Sequence, residues 1–317
     1  MQESKTLHYI LGISLLMVAM FAVASLVMIN SQAVDVGTST SITNAAPTVT
    51  SVFVSAAQYG QVDTYSAGTI NDLVGGGTRT IHINGVVADN NLQGDIEHVE
   101  LVFYRSSATA GCTPSNNDCY AVATCDLSTA GVTTLQKKYD CPIDLQYYAD
   151  STSAGGEFEA QNWVARVKVF DVGGLNATDS GMTKEVQTLM ALTIPSTIAY
   201  GGLGLGVSTT AANNQPMSIA QQGNDVTDVE VSMASASMGC TLGTIPRANQ
   251  QWSLTDIDYN AVGTNALTGS ATRAAIQVPY RHGANPSQTL YWNISIPANG
   301  VGGSCTGTSV ISALAGA

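Results

Sequence analysis

The feature that most limits what this chain can fold into is a two-residue hydrophobic rhythm. In residues 163–171 (WVARVKVFD), Trp163, Ala165, Val167 and Val169 fall on one side, with Arg166 and Lys168 on the other. Successive side chains of an extended strand point to opposite faces, so the pattern describes a strand with one face buried. The same rhythm runs through residues 80–84, where Ile81 and Ile83 alternate with Thr80, His82 and Asn84. It recurs in residues 99–104, where Val99, Leu101 and Phe103 share a face. Residues 48–55 open the series, and 228–233, 274–279, 290–296 and 309–314 continue it. Between these runs stand turn-forming clusters: 75–77 (GGG), 89–91 (DNN), 116–118 (NND), 155–156 and 173–174 (both GG). No segment after residue 33 sustains the spacing of an amphipathic helix. The chain is expected to be all-β, in two tandem β-sandwich domains over 48–193 and 194–317.

Residues 9–29 form an uncharged apolar run, long enough as a helix to span a bilayer core of about 30 Å. Two readings of residues 1–33 stand side by side. One is a cleaved signal peptide, with Ser31 and Ala33 at the small-residue positions of a cleavage site. The other is an uncleaved signal anchor, since the run exceeds a normal signal core. No Lys or Arg follows Lys5 until Arg79, which places the N-terminus in the cytoplasm and everything later outside. Membrane contact is therefore assigned to residues 9–29. Residues 34–47, small and polar at first, are expected to form a flexible stalk.

Six cysteines lie beyond the leader: Cys112, Cys119, Cys125, Cys141, Cys240 and Cys305. An even number in an exported chain reads as disulfides. The assumed boundary near residue 193 leaves Cys240 and Cys305 to each other. Among the other four, local bridges Cys112–Cys119 and Cys125–Cys141 are favoured, with other pairings open. Zinc is disfavoured by the lack of any C-x-x-C pair. Charge completes the exclusions. The 317 residues carry 11 Lys and Arg against 23 Asp and Glu, a net charge of -12. Nucleic-acid binding needs a clustered basic face, and this acidic balance argues against one.

The sharpest motif is in residues 89–100, which nearly meet the calcium-loop spacing D-x-[DN]-x-[DN]-G-x5-E. Asp89, Asn91, Gln93, Gly94, Asp95, Glu97 and Glu100 stand at the relevant positions. Gln93 departs from the pattern, and Glu100 falls in an expected strand. Asp89, Asn91 and Asp95 are the candidate Ca2+ ligands, against the plainer reading of a polar hairpin connection. No other cofactor is expected. The glycine-rich residues 201–206 fail the G-x-G-x-x-G pattern, because position 207 is Val. There is no G-x-S-x-G or H-E-x-x-H motif, and no enzymatic activity is expected. Tyr104, Tyr147, Tyr148, Trp252 and Trp292 could stack on a sugar, although Trp163 and Trp292 fit better as core residues of their domains.

Residues 162–174 (NWVARVKVFDVGG), followed by Asn176, Ala177 and Thr178, resemble the late strand and turn of Ig-like and PKD-like repeats of microbial surface proteins. Residues 86–91 preceding 96–104 are similar to the earlier strand pair of those repeats. Residues 291–297, with 302–308 after them, resemble closing strands of exported β-sandwich domains. The likeness implies Ig-like sandwiches and a structural or adhesive role at the cell surface without catalysis. Two alternatives accompany it: a module binding a glycan or an extracellular protein partner, and a subunit of a pilin-like filament.

Overall fold

The computed structural model describes residues 12–20 and 37–316. Residues 12–20 of the apolar run are helical and exposed, while 9–11 and 21–29, together with the cleavage positions Ser31 and Ala33, lie outside the described residues. Among the described residues, no helix is long and apolar enough to cross a membrane. Residues 37–47 have no regular structure, and the chain divides into two compact units at Thr43/Asn44.

From Asn44 onward the molecule is built of strands. The first half comprises β1 (Thr48–Ser55), β2 (Thr69–Ile70), β3 (Thr78–Ala88), β4 (Ile96–Arg105), β5 (Cys119–Val122), β6 (Asp126–Ser128), β7 (Gln136–Gln146), β8 (Trp163–Asp171) and β9 (Asn176–Val186). They form two sheets, ordered β1-β3-β7-β6 and β2-β9-β8-β4-β5, antiparallel apart from the β2–β9 pair. The rhythm of β8 is realised residue by residue: Trp163, Ala165, Val167, Val169 and Asp171 are buried, and the residues between them are half-buried. Opposite them in register stand Phe103 against Ala165 and Leu101 against Val167. The inner faces of both sheets contribute to one apolar cluster, in which Ile81, Ile83 and Val87 join Val99, Phe103, Trp163 and Val167. This is a sandwich core, with burial driven by apolar area removed from water. Gly85 pairs with Val52 just beyond a bulge of β1, and a Cβ on it would come within 1.9 Å of the Ser51 carbonyl. Only glycine permits that approach.

The second half comprises β10 (Leu192–Thr193), β11 (Gln215–Gln221), β12 (Thr227–Ser232), β13 (Ser237–Leu242), β14 (Thr244–Pro246), β15 (Gln250–Ser253), β16 (Asn265–Ala266), β17 (Thr272–Arg273), β18 (Ser287–Ile294), β19 (Gly302–Thr306) and β20 (Val310–Ala315). Its sheets are ordered β10-β11-β18-β15-β16, β17-β12-β20 and β14-β13-β19 around a second apolar cluster centred on Trp292, Trp252, Ile219 and Val229. One expected strand is not formed. Residues 274–279 bury Ala274, Ile276 and Val278 as the alternation requires, but Ala275 and Gln277 have φ of 53° and 48°. That backbone cannot extend a ladder; instead the Ile276 amide donates to the buried carboxylate of Asp228, at 2.8 Å.

All three disulfides are formed: Cys112–Cys119, Cys125–Cys141 and Cys240–Cys305. The first closes the turn into β5. The second joins β7 to a residue whose amide bonds the Val99 carbonyl of β4, so it ties one sheet's strand to the other's. The third joins residues facing each other across β13 and β19.

The two cores are joined by polar contacts. Asn224 is buried; its Oδ1 accepts from the Leu189 amide, and its Nδ2 donates to the Ala149 and Gln187 carbonyls. The Arg281 guanidinium lies 4.0 Å from the ring centre of Tyr148, and Tyr147 donates to Asn285 at 2.7 Å.

Candidate functional site

The β3–β4 connection crosses from one sheet of the first sandwich to the other, and it carries the calcium-like motif. Asp89 follows the last residue of β3, and Asp95 closes a single 3-10 turn (Gln93–Asp95) before β4. No helix flanks the loop, so the helix–loop–helix frame of the matching calcium motif is not formed. Its two ends are nevertheless brought together with a third carboxylate. Asp171 ends β8, which lies beside β4, with Asp171 opposite Ile96. One oxygen each from Asp89, Asp95 and Asp171 lies within 4.8 Å of the others.

The surroundings of these carboxylates are unequal. Asp89 is 2% exposed and Asp171 is 0% exposed, while Asp95 is half-buried. Asp89 Oδ1 accepts from the Asn91 amide at 2.7 Å, but Asp89 Oδ2 is buried without a hydrogen-bond partner. Asp171 Oδ1 accepts from the Leu175 amide at 2.7 Å, and Oδ2 from the Asn44 side-chain amide at 2.9 Å. Partial desolvation, with repulsion from Asp89 and Asp171, pushes the Asp95 carboxyl above the ordinary carboxylate range. Among the described residues, no Lys, Arg or His forms a salt bridge with any of the three. Two like unit charges ~5 Å apart repel by about 3 kcal/mol at an effective dielectric near 20. A cluster with this composition can hold a hard cation through oxygen ligands; it lacks the nucleophile or paired acid and base of a hydrolytic centre.

Of the residues singled out in the loop, Asp89 and Asp95 join this cluster. Asn91, between them on the loop, holds the incoming chain: its Oδ1 accepts from the Ala45 amide at 2.9 Å. Glu97 and Glu100 flank His98 on the outer face of β4 instead. Asp171 belongs to the cluster but stands outside the loop motif. Its signal was local, an inward-facing Asp at a strand end before Gly173-Gly174, but its neighbours in space are about 80 residues away in sequence.

Other candidate sites disperse. Trp163, Trp252 and Trp292 are buried, and so are Tyr147 and Tyr148, which serve the joint between the two cores. Residues 201–205 line an open cleft of about 790 Å3 whose other walls include Met238, Ile245 and Ile296. No charged side chain lines it, so it offers nothing to a nucleotide phosphate. His82 meets the buried Asp140 at 2.8 Å on the β3–β7 pair. No protein-family model matches the chain, and the curated proteins contain no match to it.

Proposed function

We propose that this chain is an exported cell-surface protein with a structural or adhesive role, held at the membrane through residues 9–29. The observation that carries the proposal is the pairing of all six cysteines in three disulfides. Such bonds persist in oxidising compartments and are reduced in most cytosols. Their placement fits a load on the fold rather than a redox reaction, since Cys125–Cys141 ties one sheet to the other and Cys240–Cys305 staples the neighbouring strands β13 and β19. The finer assignment, tandem Ig-like sandwiches without catalysis, draws support from the two apolar cores and from the segments that carry the likeness, the β3-to-β4 crossing between sheets and the β8–β9 pair. Burial of the three tryptophans favours structure over glycan stacking, because an exposed aromatic platform is what a sugar ring requires.

Immunogold negative-stain microscopy of intact source cells, with an antibody to residues 48–317, tests this. Gold on the outer surface of unbroken cells is the expected result, and its pattern separates scattered molecules from filaments. Label that appears only after lysis would overturn the proposal.

A further inference from the structure

We propose that Asp89, Asp95 and Asp171 bind one Ca2+ ion, and that this ion clamps residues 44–47 of the incoming chain to the first sandwich. Three features carry the first half. The oxygens already converge within 4.8 Å of one another. Two oxygens bound to the same Ca2+, each at 2.3–2.6 Å, stand up to roughly 5 Å apart, so the cluster fits one coordination sphere without rebuilding. Asp89 Oδ2 is the second feature: it belongs to a side chain 98% buried that contributes an oxygen to this group of carboxylates, and it has no hydrogen-bond donor. A buried anionic oxygen left bare costs heavily unless a cation meets it. The third is the missing counter-charge. The donors on these residues, the Asn91 and Leu175 amides and the Asn44 side chain, are all neutral. Gln93 Oε1, on the same loop, is another buried oxygen without a partner. A site with two fully buried carboxylates favours Ca2+ over Mg2+, which surrenders its water reluctantly and demands shorter, near-octahedral contacts.

The second half follows from where the incoming chain is tied. Asn44 donates to Asp171, and the Ala45 amide donates to Asn91, whose own amide donates to Asp89. Both ties therefore end on a ligand or on a residue bonded to one. Gly173 makes room for the first: a Cβ there would come within 2.6 Å of Asn44 Nδ2. With the ion bound, Asp89 and Asp171 are drawn together and the two ties are held. Without it, the carboxylates repel and the anchorage of residues 44–47 loosens. In a protein that projects from a membrane, this would set the stiffness of its base according to external calcium.

The test uses the full chain in detergent, stripped with EDTA and titrated calorimetrically with CaCl2 or MgCl2. The expected result is one Ca2+ per chain, at least tenfold weaker Mg2+ binding, and a Tm several degrees higher in Ca2+ than in EDTA. Hydrogen exchange at the Ala45 amide should slow at least tenfold on adding Ca2+. Asp89→Asn and Asp171→Asn should each weaken Ca2+ binding at least tenfold. Asp95→Asn, at the half-exposed member, should do the same and covers the case in which the buried variants misfold. No Ca2+ heat and equal Tm in Ca2+ and EDTA would overturn the site, as would binding undiminished in Asp95→Asn. Ca2+ binding with unchanged exchange at Ala45 would overturn the clamp.

Discussion

The two halves of the molecule bury carboxylates in opposite ways. In the second half, Asp228 is fully buried and fully served. Arg273 Nε donates at 2.6 Å, the Val229 and Ile276 amides at 2.8 Å each, and Gln277 Nε2 at 3.3 Å. Burial alone would raise its pKa, but the Arg273 guanidinium and the two amides outweigh it and hold the carboxyl below the ordinary range. In the first half, Asp89 and Asp171 are as deeply buried, share their space with Asp95, and meet only neutral donors. The difference separates a carboxylate neutralised by its own chain from a group without an internal counter-charge. Asp228 also accounts for the absent strand at 274–279: its oxygens draw in the Ile276 amide and the Gln277 side chain, and the backbone coils around them.

The largest effect expected from this contrast is at Asp228. Asp228→Ala leaves the Val229 and Ile276 amides bare, at about 1–3 kcal/mol for each buried donor, while the half-exposed Arg273 turns to water. Urea denaturation followed by the fluorescence of Trp252 and Trp292 should show that loss, equal in Ca2+ and in EDTA. A loss that disappears in Ca2+ would break the contrast, because it would make the second half ion-dependent as well.

Asp150 gives an intermediate case within the first half. It is buried and paired with Arg105 at 2.8 Å, yet Oδ1 has no partner. Desolvation outweighs the Arg105 attraction and raises its pKa to about 6. A folded pKa above the unfolded value of about 3.8 means that the folded chain holds the proton more tightly. Its contribution to stability is then greatest below pH ~4 and is lost as the pH rises through about 6. Asp228 has the reverse sign, contributing at neutral pH and losing that contribution as acid protonates it. The shift at Asp150 corresponds to at most about 3 kcal/mol. Stability of the wild type minus that of Asp150→Asn, measured from pH 4 to pH 7, should fall by roughly 2–3 kcal/mol. A flat difference would show that Arg105 compensates Asp150 as fully as Arg273 compensates Asp228.

What could be read in the sequence, and what could not, divides along the range of the interactions. Alternation is local, so β1 and β8 were legible to the residue, and the inward face of β8 followed directly. The disulfides were legible because Cys112–Cys119 and Cys125–Cys141 are close in the chain and Cys240–Cys305 had no other partner. The carboxylate cluster was half legible. Asp89 and Asp95 share a loop with a recognisable spacing, whereas Asp171 arrives through the β4–β8 pairing, which no local pattern reveals. Residues 274–279 mislead for a related reason. The burial pattern of a strand is present, but the distant Asp228 decides the backbone. Tyr147 and Tyr148 likewise look like ligand-stacking residues until the second half of the chain covers them.

The smallest effect concerns how the incoming chain is fastened, where the contrast can be sharpened most finely. Asn44→Ala deletes one half-buried hydrogen bond to Asp171 and should cost about 1 kcal/mol. Gly173→Ala attacks the same bond from the other side, since its Cβ would lie 2.6 Å from Asn44 Nδ2 and 3.3 Å from Asp171 Oδ1. If both act only through that bond, the double variant should be no less stable than the weaker single variant, leaving a coupling of about 1 kcal/mol. Chemical denaturation of the four proteins in a double-mutant cycle measures it. Losses that simply add would mean that Asn44 and Gly173 act independently, and that the Asn44–Asp171 bond does not fasten the chain. No comparable cycle should exist around Asp228, where four donors share the charge and no single neutral contact governs it.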